Sequence, residues 1–124
     1  MPAYVGRKDS STAAPAGKLP PVNGSGDSLL EMFQKKNFTA TDLAALIGAH
    51  STSTQFFVDP SKAGEPQDST PGIWDVTYYD ETLSGTAPFT FESDKNLAAQ
   101  AEVGPAFRSF MVNQTRWNEA FVPA

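Results

Sequence analysis

Three groups of residues in this sequence are of types that can do chemistry. The first is His50, the only histidine, which closes the run Asp42-Leu43-Ala44-Ala45-Leu46-Ile47-Gly48-Ala49-His50-Ser51. A neutral imidazole is the commonest side-chain metal ligand, although an imidazole on an apolar stripe also serves as a hydrogen-bonded core residue. Gly48 and Ala49 are small residues beside it and would let a flat group approach closely. The second is the oxygen set Asp68, Thr70 and Asp75 on the segment Asp68-Ser69-Thr70-Pro71-Gly72-Ile73-Trp74-Asp75. A hard cation such as calcium takes about six to eight oxygens from carboxylates, hydroxyls and carbonyls, and two Asp flanking a Thr can wrap one. A solvated turn with an Asx motif fits the same residues. The third is Ser93-Asp94. An acid there is either a partner for a helix N-terminus or a carboxylate that accepts the ring N–H of a ligating histidine and strengthens it as a donor.

The elements that must position these groups follow from periodicity and punctuation. Leu43, Leu46, Ile47 and His50 recur at i, i+3, i+4 and i+7, one face of a helix running from Leu43 to about Thr54. Thr39-Ala40-Thr41-Asp42 gives it a capping signal. Upstream, Asp27 or Ser28 would cap a short helix through Lys36, with Leu29, Leu30 and Phe33 inward. Residues 55–75 are broken by Pro60, Gly64, Pro66, Pro71 and Gly72 and read as loop. A short helix is expected from Trp74 to Leu83, then a turn and a poor strand over Ser84–Phe91. Ser93 would cap a helix over Asp94–Gln100. Pro105 suits the first turn of a last helix whose stripe is Phe107, Phe110, Met111, Gln114, Trp117 and Phe121. Residues 1–26, rich in Gly, Pro, Ser and Ala, read as an extended loop or linker, leaving 27–124 as one mainly α domain. A loop of that length usually lies against something else.

Composition removes several function classes. The chain lacks Cys, so it has no thiolate ligand, Cys nucleophile or disulfide. A single His excludes chemistry that needs two imidazoles. The net charge is −5 and the nine Lys and Arg are scattered, which argues against a nucleic-acid partner. No apolar run approaches the ~20 residues of a membrane span. Met1 to Arg7 has no apolar core of a signal peptide, so the chain is expected either to be intracellular or to start downstream of a lost leader.

Taken in order along the chain, these segments resemble the class II haem peroxidases, the secreted fungal family of lignin, manganese and versatile peroxidases. The likeness runs from Gly6-Arg7-Lys8-Asp9 and Gly17-Lys18-Leu19-Pro20, through Asp42 and Gly48-Ala49-His50-Ser51, to Asp68–Asp75 and Ser93-Asp94 with Leu97-Ala98. The resemblance implies the proximal helical domain of the haem-peroxidase fold, with long irregular loops and the distal half absent. It implies haem b with His50 as axial iron ligand and Asp94 hydrogen-bonded to the other ring nitrogen. It implies a proximal calcium held by Ser51, Asp68, Thr70, the Ile73 carbonyl and Asp75. It further implies an extracellular protein using hydrogen peroxide to oxidise small, phenolic donors.

The sequence also departs from the family. No second His can act on the peroxide side, so no catalytic acid–base residue is assigned. Ala45 stands where ligninolytic members carry a surface Trp, and Phe56 where manganese oxidisers carry a carboxylate. The segment between Leu83 and Ser93 is short. A second reading is therefore a non-catalytic remnant that binds calcium or a partner only, the partner being a separate distal half or a second copy of the chain.

Overall fold

A computed structural model describes residue 6 and residues 8–124. Residues 1–5 and Arg7, and with it part of the Gly6–Asp9 stretch, lie outside the described residues. The fold is helical, as expected, and among the described residues has six α-helices: α1 Gly26–Gln34, α2 Ala40–Ile47, α3 Thr77–Ser84, α4 Glu92–Ala99, α5 Val103–Met111 and α6 Gln114–Phe121. Helix α2 is central. It packs on α5 and α6, while α4 joins α1 to α5 and α3 lies on α5.

Helices α1, α2 and α6 start at side-chain caps. Thr39 and Asp42 form a reciprocal capping box at α2, with Asp42 N–H donating to Thr39 Oγ1 (3.1 Å) and Thr39 N–H to Asp42 Oδ2 (2.8 Å). Helix α1 begins earlier than expected, because Ser25 rather than Asp27 or Ser28 takes the cap and accepts from Ser28 N–H. That brings Gly26 against α4, where an added Cβ would lie 2.5 Å from the Asn96 carbonyl oxygen. Only a glycine permits so close an approach. In α4, Phe91 holds the cap position, and Ser93 and Asp94 fall inside the first turn.

Three further expectations are corrected. The segment 84–91 forms no ladder: Gly85 ends α3 in the left-handed region (φ 74°) and the chain then touches the 66 loop through Phe89 N–H to Pro66 O (3.1 Å). The last stripe is carried by two helices. Asn113 breaks it, its side chain capping Arg116 N–H at 2.9 Å. The α2 helix stops at Ile47, and Gly48–Thr52 winds as a tighter 3-10 turn. Side chains join the backbone at the helix's last carbonyls: Tyr79 Oη donates to Ala44 O (2.8 Å) and Trp117 Nε1 to Ala45 O (3.0 Å), which Gly48 N–H also reaches.

The core sits between these helices, with Leu43, Tyr79, Phe107, Phe110 and Trp117 shut off from solvent. Tyr79 meets Phe107 and Trp117 edge-on, at ring distances of 4.9 and 5.6 Å. Full burial of each such side chain is worth roughly 1.5–3 kcal/mol, and T-shaped aromatic pairs add about 0.5–1.5 kcal/mol. This packed wedge fixes the end of α2, and so the position of His50.

Candidate functional site

His50 sits on the 3-10 turn directly after α2 and is partly exposed, its side chain 32% accessible. Its Nδ1–H donates to Oδ2 of Asp94 at 2.8 Å. The two residues are 44 apart in sequence, and the packing of the helices joins them. Asp94 is fully buried. It also accepts Tyr78 Oη on Oδ2 (2.9 Å) and Ser93 Oγ on Oδ1 (3.1 Å). Burial, and then the Asp94 charge, push the Tyr78 phenol well above its usual range, so it stays a donor.

With Nδ1 engaged by Asp94, Nε2 is the nitrogen left to bind. Beside it opens an apolar cleft of about 400 Å³, walled by Leu29, Phe33, Leu43, Leu46, Ile47, Phe91, Leu97 and His50. The four residues of the expected stripe, Leu43, Leu46, Ile47 and His50, all line it. Pro20, Pro21 and Val22 form the wall that the sequence left as loop. They are tied down by Ser93 N–H to Val22 O (2.9 Å) and by Asn96 Nδ2 to Gly24 O (2.9 Å). Phe91, 5.5 Å from the imidazole ring, was also not foreseen.

Gly48 has a different role from the one its position beside His50 implied. An added Cβ would meet Tyr79 Oη at 2.2 Å and Trp117 Nε1 at 2.7 Å, so it is small to admit these two core side chains, not a ligand.

The second cluster joins the first through the backbone. Thr54 pairs with Pro66 in an antiparallel bridge, and Gln67 N–H donates to Ser53 O (3.2 Å). That pairing ties the segment following the 3-10 turn of His50 and Ser51 to the segment leading into the Asp68–Asp75 loop. Within the loop, Thr70 N–H donates to Asp68 Oδ1 (2.8 Å) and Thr70 Oγ1 to Asp75 Oδ2 (3.0 Å). Asp68, Thr70 and Asp75 are therefore gathered. Ile73 N–H bonds back to Thr70 O (2.8 Å) while its side chain points to solvent, 57% exposed.

Two oxygens here lack a partner. Ser51 Oγ and Asp68 Oδ2 are both buried without a hydrogen bond. Burial holds the Asp68 carboxyl above the usual carboxylate range; the Thr70 N–H opposes this, and the charges of Asp75 and Glu81 add to it. An orphaned buried carboxylate oxygen beside a second carboxylate is costly unless a cation joins it. Among the described residues no three of His, Cys, Asp or Glu converge, so a cation here would depend on hydroxyls and carbonyls as well, which suits calcium. Glu81, unmarked in the sequence, braces the loop by accepting Ser69 N–H (2.8 Å) and Ser69 Oγ–H.

Comparison with known proteins bears on this arrangement. The peroxidase family model matches residues 1–113. The chain belongs to the peroxidase family. Among similar curated proteins, manganese peroxidase 3 of Phlebia radiata is 30% identical over 143 aligned positions, covering all of this chain and 40% of the relative. A low-redox potential peroxidase of Taiwanofungus camphoratus is 31% identical across 95% of the chain and 41% of its own length. Ligninase C of Trametes versicolor is 28% identical across 98% and 38%. The chain thus spans about 40% of the length of these peroxidases. Ala45 is fully buried and Phe56 exposed.

Proposed function

We propose that this chain is the haem-ligating part of a secreted fungal peroxidase, with His50 as axial iron ligand and a calcium ion bound by Ser51, Asp68, Thr70, the Ile73 carbonyl and Asp75. The observation that carries this reading is the 2.8 Å contact of His50 Nδ1 with buried Asp94, which leaves Nε2 free at the mouth of an apolar cleft. Family membership supports it, and so do the orphaned oxygens of Ser51 and Asp68. Residues 27–124 form the ligating domain, and Pro20–Val22 straps its cleft.

Haem b, when bound, would supply the iron at which hydrogen peroxide is reduced and small phenolic donors are oxidised. The chain's own contribution is on the proximal side. Asp94 holds the Nδ1 proton, fixes the tautomer and makes Nε2 a stronger donor. The Leu43, Leu46 and Ile47 stripe excludes water from one face of the cleft. A calcium bound at Ser51 would lock the turn that carries His50 to the Asp68–Asp75 loop. Proton transfer between the two peroxide oxygens needs a positioned base on the opposite face, and the single His of these 124 residues is engaged on the proximal side. The distal wall would come from elsewhere in a longer protein, or from a partner chain.

The test is a haem titration followed by absorbance. Wild-type protein is expected to give the spectrum of an imidazole-ligated haem, and His50→Ala to lose it. An unchanged spectrum in His50→Ala sinks the assignment.

A further inference from the structure

We infer that Tyr78 is a positioning residue for His50, acting through Asp94: its hydroxyl shares the carboxylate oxygen that holds the imidazole N–H and limits how strongly that oxygen draws on the proton. The consequence at iron rests on the reading of His50 as axial ligand; the hydrogen-bond geometry does not.

Two donors meet on one atom. Asp94 Oδ2 receives His50 Nδ1–H at 2.8 Å and Tyr78 Oη–H at 2.9 Å, while Oδ1 receives Ser93 Oγ–H at 3.1 Å. Asp94 and Tyr78 are both fully buried. With no water to trade places with, the carboxylate's charge is divided among the donors it faces, and each bond depends on the others. Donation to a carboxylate stabilises its charged form and weakens it as a base. An Asp94 facing His50 without the phenol would pull harder on the Nδ1 proton, give the ring more imidazolate character and make Nε2 a stronger donor. Tyr78 therefore sets an upper limit on that push.

The ring of Tyr78 is closely packed on both sides. Tyr78 lies on α3 next to Tyr79, whose own hydroxyl is fixed on Ala44 O, and the two rings meet edge-on at 5.3 Å. The Tyr78 ring also stands edge-on to the imidazole, 5.9 Å away at 87°. A packing role needs only the ring. The hydroxyl adds a hydrogen bond aimed at the oxygen that His50 uses.

The variant Tyr78→Phe keeps the ring and removes the hydroxyl. In ¹⁵N-labelled protein without added haem, the His50 Nδ1–H resonance is expected to move downfield in Tyr78→Phe. Ser93→Ala, which removes the donor to the other oxygen, should move it less. In haem-loaded protein the reduction potential of the iron should fall in Tyr78→Phe. An Nδ1–H resonance unmoved in a Tyr78→Phe protein that melts cooperatively overturns the proposal. Should that variant not fold, the wild-type protein decides: a slowly exchanging Tyr78 hydroxyl proton with a cross-peak to His50 Nδ1–H supports it, and absence of that cross-peak overturns it. A haem spectrum that survives His50→Ala removes the axial-ligand reading, while the haem-free resonance still decides the role of Tyr78.

Discussion

Asp94 concentrates more of this site in one side chain than any other residue, with three donors on two oxygens and no exposure to solvent. Partners of this kind typically change metal affinity or activity by about 10- to 100-fold when mutated. Asp94→Asn is therefore expected to weaken haem binding by about that factor, measured by the same absorbance titration; an affinity equal to wild type would show that the pair does not hold the ligand. Both partners of this contact are legible in the sequence, but not their meeting. His50 is legible because it falls in phase with Leu43, Leu46 and Ile47, and that stripe does line the cleft. Asp94 is legible as a helix-start acid or as an acceptor for a histidine N–H; only the resemblance pairs it with His50, since nothing local records a contact 44 residues away. Tyr78 gave no signal, because a tyrosine in a buried helix reads as packing until its hydroxyl is seen to have a partner.

At the scale of the helices, the end of α2 decides where the imidazole stands. The helix gives way to a 3-10 turn where Tyr79 and Trp117 donate to the carbonyls of Ala44 and Ala45. Gly48 is what lets them in. Adding a methyl group there overpacks the wedge, a change that costs typically about 1–3 kcal/mol. Gly48→Ala should lower the urea midpoint accordingly and weaken haem binding with it, because the turn carrying His50 must shift. A variant as stable as wild type would mean that the two core side chains give way freely. The break between α5 and α6 carries no periodic signal. The stripe from Phe107 to Phe121 runs in phase across Asn113, and the one cue, an Asn able to cap Arg116 N–H, was outweighed by that regularity. The strap at Pro20–Val22 was invisible as a wall because its hold depends on hydrogen bonds from α4.

For the whole molecule, cation binding and turnover give separate tests. If calcium joins Ser51 and Asp68, it binds the native state alone and stabilises it by about 2.7 kcal/mol at a hundredfold excess over Kd. Chelation should then lower the Tm, and Asp68→Ala should abolish the response; a melt indifferent to chelator counts against the cation. Turnover by residues 1–124 alone should be feeble, since a positioned acid–base group is worth roughly 10² to 10⁴ in rate and the one His is already committed to Asp94. A haem-loaded sample is expected to oxidise a phenolic dye little faster than free haem with imidazole, and rapid multiple turnover would contradict this. The bond from Trp117 to Ala45 O also bears on biosynthesis. It spans 72 residues and joins the last of the described helices to the one that ends beside His50. At the usual synthesis rate of about 5–20 residues per second, the His50 segment leaves the ribosome several seconds before the indole that completes its seat. Through that interval the carbonyl end of α2 lacks the donor that seats it, so the imidazole takes its final position only once α6 has been made.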